Sequence, residues 1–154
     1  MILKNYVFYV PMCFKQIMLT KKYLDKLTYE VVGAAIEVHK EIGAGLLESV
    51  YHECLKHELK SRNINFLTEA IVPINFKGLT LEADLRCDLL IENCLAAELK
   101  AVAELAPVHE AQLLTYMKLL KVPKGILINF TCVNLFKEGQ KTFVNEFFRN
   151  LPEV

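Results

Sequence analysis

The stretch that most constrains this chain runs from Asp88 to Lys100, where Leu89-Leu90-Ile91 and Leu95-Ala96-Ala97-Glu98-Leu99 flank the polar tripeptide Glu92-Asn93-Cys94. Two short apolar runs around a polar interruption read as the strands and three-residue loop of a hairpin. Such a loop puts Ile91 opposite Leu95 and Asp88 opposite Glu98. Directly opposed residues have Cβ atoms roughly 4.5–5.5 Å apart. Period-two alternation adds Lys100 to the face that carries Glu98. Two carboxylates and an ammonium then converge on one point. Carboxylates held that close share a cation or shift their pKa values, and hard oxygen donors suit Mg²⁺ or Mn²⁺. The same short pattern also arises from an ordinary cross-strand ion pair on solvated strands. The surroundings favour a site, because the alternating strand Leu79 to Arg86 comes just before it and a helical stretch, Pro107 to Leu120, just after.

The rest of the chain reads as one domain. Its 154 residues, 53% of them hydrophobic, are enough to bury about two thirds of the unfolded surface around a full core. The 18 basic and 18 acidic residues cancel, which excludes a global field drawing the protein onto nucleic acid and leaves only local phosphate contacts. Cys13, Cys54, Cys87, Cys94 and Cys132 are odd in number and widely spaced. That pattern argues for reduced thiols in a cytoplasmic protein, against a disulfide framework and against a zinc knuckle. Residues 1–17 are apolar but interrupted by Lys4, Pro11 and Lys15, too short and broken to span a bilayer and without a small-residue cleavage site. They are expected to be a poorly ordered or loosely packed extension from an upstream start, with the domain proper at 18–154 and no stable membrane association.

Along the domain, Thr28 to Ile42 carries a helical apolar stripe that Gly43 stops. Leu47 to Arg62 reads as a second helix. Leu67 to Phe76 and Thr80 to Ile91 read as strands about the turn Lys77-Gly78, with Pro73 pushing the first toward a sheet edge. Gly125 to Phe130 has the unbroken apolar character of a buried strand. Val133 to Phe148 fits strand or helix equally. The expected fold is α/β, a mixed central sheet flanked by helices, antiparallel across short turns and parallel where a helix crosses over. Such sheets hold their chemistry at strand ends and beside the crossover helix.

Three motifs now resemble a known family. Gly45-Leu46-Leu47-Glu48-Ser49-Val50-Tyr51 is similar to the GxxExxY signature, and Asp88…Glu98-Leu99-Lys100 resembles the core of the PD-(D/E)xK nuclease superfamily. Gln112-Leu113-Leu114-Thr115-Tyr116 resembles the QxxxY element of its RecB-like branch. The resemblance covers Leu27 to Phe136 and departs from the family at Cys87, which stands where a proline precedes the aspartate. It implies a PD-(D/E)xK nuclease-like core with Asp88, Glu98 and Glu48 as ligands of Mg²⁺ or Mn²⁺, joined by the backbone carbonyl of Leu99. It also implies Lys100 acting on the attacking water and the phosphate, and Gln112, Tyr116 and Tyr51 positioning the substrate. Helical spacing agrees, since Glu48 and Tyr51 share one face and His109, Gln112 and Tyr116 another. Read singly, the tyrosines fit core or rim aromatics, Gln112 a solvated helix residue, and Glu48 a first-turn carboxylate stabilised by about 0.3–1 kcal/mol through the helix dipole. Asp84 shares strand parity with Asp88 and is the fallback carboxylate.

The function expected from the resemblance is Mg²⁺-dependent hydrolysis of phosphodiester bonds in nucleic acid, with DNA as the expected substrate. The alternative is a nuclease-fold interaction module that binds protein or nucleic acid without cutting it. The apolar tail residues Phe143, Val144, Phe147 and Phe148 offer a surface for a second copy, and so a homo-oligomer.

Overall fold

A computed structural model describes residues 18–81 and 83–154; the extension expected at 1–17 lies outside the described residues. Helix α1 (Lys21–Ile42) starts a full two turns before the apolar stripe alone predicted. Thr20 caps it, its hydroxyl accepting the Tyr23 N–H at 3.1 Å, and Leu24 and Leu27 extend the buried stripe toward the start. Thr28, the expected first residue, is instead mid-helix, with its hydroxyl bonded to the Leu24 carbonyl. Helix α2 (Glu48–Ser61) follows the Gly43–Gly45 connection and buries Tyr51, Leu55 and Leu59.

The strand region folds back on itself twice. Strand β1 (Phe66–Ile71) pairs with β4 (Arg86–Ile91), while β2 (Ile74–Phe76) and β3 (Leu79–Leu81) form a separate ribbon. The single strand expected from Leu67 to Phe76 breaks because Pro73 has no N–H to give the ladder, and the one expected from Thr80 to Ile91 breaks opposite it. Val72 still bonds across the gap to the Leu85 carbonyl at 2.8 Å. The Lys77-Gly78 turn is where the sequence put it, both residues having positive φ, as a two-residue hairpin turn requires.

Strand β4 turns through Glu92-Asn93-Cys94 into β5 (Leu95–Lys100), with Ile91 opposite Leu95 as expected. Helix α3 (Pro107–Leu120) carries the chain to β6 (Lys124–Asn129), parallel to β5, and β7 (Gln140–Val144) closes the sheet in the order β1-β4-β5-β6-β7. The ambiguous tail contains both structures, a four-residue helix α4 (Leu135–Glu138), then β7, then α5 (Glu146–Arg149).

Two cores flank the sheet. Helices α1 and α2 cover one face with Leu24, Val31, Tyr51 and Leu55 over Leu99, and α3 covers the other with Leu113, Tyr116 and Met117 over Ala96 and Leu127. Phe143 packs on the second core and Phe148 on the first, so much of the tail's apolar surface is used within the chain rather than offered to a second copy. Among the described residues no helix is long and apolar enough to cross a membrane.

Close approach of α3 to the sheet depends on Gly125, where an added Cβ would meet Met117 Sδ at 2.5 Å and Leu113 Cδ1 at 3.1 Å. Gly125→Val is expected to destabilise the protein by about 1–3 kcal/mol through overpacking, read from the urea midpoint.

Candidate metal centre

The site begins where the hairpin ladder stops. The β4–β5 pairing runs from Ile91–Leu95 to Leu89–Ala97, and one step further the two carboxylates replace backbone partners. The Asp88 N–H donates to Glu98 Oε1 at 3.2 Å and the Leu99 N–H to Asp88 Oδ2 at 2.8 Å. On the outer side the β1–β4 ladder also skips one pair, between Thr68–Leu89 and Ala70–Cys87. Glu69, which falls in that gap, has φ +51°, a conformation that costs a side-chain-bearing residue of order 1–3 kcal/mol. Asp88 therefore sits at a fork, released from the ladder on both sides.

Helix α2 closes the fork from above. His52 Nε2 lies 3.5 Å from Asp88 Oδ2 and 3.9 Å from Glu48 Oε1, and donor atoms of Glu48, His52 and Asp88 all fall within 4.8 Å of one another. Below, Lys100 Nζ is 3.6 Å from Glu98 Oε2. Glu48, His52, Asp88, Glu98 and Lys100 thus form one continuous chain of charge. Its exposure is graded, the Glu98 side chain being 3% accessible, Asp88 and Lys100 16% each, and Glu48 43%, so the site opens to solvent on the helix side.

The electrostatics follow from crowded acids. Burial pushes the Glu98 carboxyl up to about 7; the Asp88 charge adds to the rise, while the Asp88 N–H and Lys100 oppose it. The hydrogen bond to Asp88 raises His52 above its ordinary value against the cost of burial, with the charges of Asp88, Glu48 and Glu69 adding. Burial, reinforced by Glu98 and Asp88, also raises the Cys87 thiol, which makes it a packing residue rather than a nucleophile. An excess of negative charge partly held by protons is the condition under which a divalent cation displaces those protons. Two carboxylates and an imidazole are the donor types of such a site.

The other expected residues are placed differently. Tyr51 is fully buried, its ring stacked on Phe130 at 4.4 Å and 7° between planes. Its hydroxyl donates to the Gly43 carbonyl at 2.7 Å and accepts the Leu46 N–H at 3.2 Å. Gly43 and Gly45, at φ +72° and +90°, make the turn that the hydroxyl pins. The Gly-to-Tyr spacing thus has a local physical reason, because it fixes the start of the helix that carries Glu48 and His52. Gln112 Nε2 donates to the Tyr116 hydroxyl at 2.8 Å, and Tyr116 is 4% exposed in the core beneath α3, which also contains Cys87. Among the described residues no hydrogen bond joins this pair to Asp88, Glu98 or Lys100. His109 leaves that face to cap its helix, Nδ1 accepting the Ala106 N–H at 3.1 Å. Asp84 is exposed and held by Arg86 at 2.7 Å, outside the cluster. His52 is the member that the sequence reading missed. Its position four residues after Glu48 was the available signal, since i and i+4 share a helix face.

Comparison with known proteins agrees with this picture. The family model of the PD-(D/E)XK nuclease superfamily matches residues 25–143. That is well over half the chain, and the chain belongs to this superfamily. The match runs from α1 into β7 and takes in each residue of the cluster. No curated protein and no solved structure gives a significant match.

Tyr51→Phe keeps the stack but unpairs the Gly43 carbonyl and the Leu46 N–H; a loss of about 1–3 kcal/mol is expected, with hydrogen-exchange protection lost first at Leu46. A pH effect follows from Glu98. Its folded pKa, about 7 against 4.5 in the unfolded chain, means that the folded state holds the extra proton between these values. Stability of the metal-free protein therefore falls as pH rises through that window, by on the order of 3 kcal/mol. His52, also raised, adds to the fall above its ordinary pKa. Urea midpoints from about pH 5 to about pH 8 measure the slope, and Glu98→Gln is expected to flatten it.

Proposed function

We propose that this protein is a divalent-metal-dependent nuclease, hydrolysing phosphodiester bonds of nucleic acid, with DNA as the favoured substrate and Mg²⁺ or Mn²⁺ as the ion. The observation that carries the proposal is the meeting of Glu48, His52 and Asp88 within 4.8 Å on the fork that also holds Glu98 and Lys100. Asp88, Glu98 and Glu48 are the carboxylate ligands in this reading, and His52 adds a nitrogen that favours Mn²⁺ over Mg²⁺. When bound, the ion polarises a phosphoryl oxygen and lowers the pKa of water. Lys100 offsets charge on the phosphate and orients water beside Glu98. Glu98 would hold the ion as a carboxylate, so binding would release the proton that burial keeps on it up to about pH 7. Gln112 and Tyr116, tied to each other, steady the floor of the site rather than touch the ion, and Tyr51 positions α2. The motif at Gly45–Tyr51 supports a reading of the chain as a GxxExxY branch member, and Gln112-x-x-x-Tyr116 a likeness to the RecB-like element. The cysteines, free at all four described positions, support a reduced, cytoplasmic setting.

The test pairs calorimetric titration of Mg²⁺ and Mn²⁺ with cleavage of labelled DNA and RNA, single- and double-stranded. Asp88→Asn is the informative ligand variant, because the amide oxygen still accepts the Leu99 N–H that an alanine would orphan. It is expected to lose metal binding and cleavage together and to stay folded. Lys100→Ala is expected to keep metal affinity and slow cleavage by about 10²–10³-fold. Wild-type protein that binds no ion and cuts no nucleic acid would leave the interaction module as the reading, as its zero net charge allows.

A further inference from the structure

A second feature of α2 begins where the cluster ends. Glu48, His52, Lys56 and Lys60 recur every four residues, so they form one slowly winding stripe, about 18 Å long at 1.5 Å per residue. Its first half belongs to the acidic cluster. The second half forms one wall of a cavity of about 650 Å³ between α2 and β1, lined by Glu53, Lys56, His57, Lys60, Phe66, Leu67 and Thr68. Lys60 Nζ stands 6.0 Å from the centre of the Phe66 ring, and among the described residues Lys56 is paired only with the exposed Glu53 on its own helix, a contact that solvent screens and a phosphate can replace. The opposite wall is the edge strand of the sheet, so among the described residues its outer backbone groups have no strand partner. The groove's inner end reaches the fork. Thr68 pairs with Leu89, the neighbour of Asp88, and Lys56 is one turn from His52.

We propose that this groove is the track for a single strand of nucleic acid, seating the phosphates next to the scissile one on Lys56, His57 and Lys60 with a base against the Phe66–Leu67 wall. Charge favours this occupant: the acidic end suits a cation, the basic end the phosphodiester chain leading from it. The amount of charge favours one strand. Duplex DNA carries about one negative charge per 1.7 Å of axis, twice the density of either strand, and a neutral protein whose groove sets Lys56 and Lys60 beside a single acid, the outward-facing Glu53, is matched to the smaller demand. The apolar wall faces bases that are unpaired, as single-strand binders require. The assignment deepens the nuclease reading, on which it rests for the direction of the strand, but binding can be measured without metal or cleavage.

The experiment is fluorescence anisotropy of a short labelled single-stranded DNA in EDTA over a salt series, with duplex DNA of the same sequence and single-stranded RNA as further probes. The Lys56→Ala/Lys60→Ala double variant is expected to weaken single-strand binding about tenfold or more and to lower the salt slope by about 0.7 for each phosphate that the lysines no longer neutralise. Its calorimetric metal affinity should be unchanged. Lys118→Ala/Lys137→Ala removes equal charge outside the groove and is expected to bind as wild type, and Lys56→Arg/Lys60→Arg to retain binding. Equal affinity for RNA upholds the groove as a reader of the phosphodiester chain. A double alanine variant that binds like the Lys118/Lys137 control, or wild type that prefers duplex, overturns the proposal. Loss of metal binding or cleavage with groove binding intact would defeat the nuclease reading alone.

Discussion

Everything at the centre of this protein depends on backbone groups that two diverging strands leave unpaired. A buried N–H must find an acceptor, and past the Leu89–Ala97 pair the acceptors are the carboxylates of Asp88 and Glu98. The same two bonds hold both acids in place and keep the fork open. Burial acts most strongly on Glu98. Glu98, almost without solvent, holds its proton up to about pH 7, and His52 is drawn toward its charged form by Asp88. The metal-free site is thus a cluster of acids partly neutralised by protons.

The two halves of the site, on strands and on a helix, are joined through Phe130. Its N–H bonds the Lys100 carbonyl at 2.9 Å, its ring stacks on Tyr51, and the Tyr51 hydroxyl grips the turn before α2. Next to it, Asn129 pairs in register with Lys100, its side chain tying down Val102 through both N–H and carbonyl. The end of β6 therefore fixes both the strand that carries Lys100 and the helix that carries Glu48 and His52. This gives the buried aromatic pair a part in the site without contact with any ligand.

How much of this was legible varies by element. The hairpin and the α3 helix could be read directly, because a polar tripeptide between apolar runs and a Pro-led helical stretch are local signals. The start of α1 was missed because Thr20 caps a first turn whose buried face is thinner than the stripe after Thr28. The break at Pro73 was seen as weakness in one strand, yet the chain answers it by splitting off β2 and β3 as a separate ribbon. His52 went unread because one histidine on a helix has no meaning until Asp88 arrives from a strand 36 positions later in the chain. Tyr116, expected to help position the substrate, is bonded to Gln112 and buried, a placement no local signal announced.

The sequence by itself determined helices α2 and α3, strand β6, the hairpin register, and through that register the placing of Asp88 beside Glu98, since alternation and loop length act over a few residues. The superfamily also follows from sequence, in the order and spacing of its motifs. Only the tertiary structure decided which groups share the site and in what protonation state. The approach of α2 to β4 brings in Glu48 and His52, and the depth of Glu98 sets its pKa. The β1 edge facing α2 creates the basic groove. Those outcomes depend on packing between segments far apart in the chain, where burial and distance in space, not spacing in sequence, set the energies.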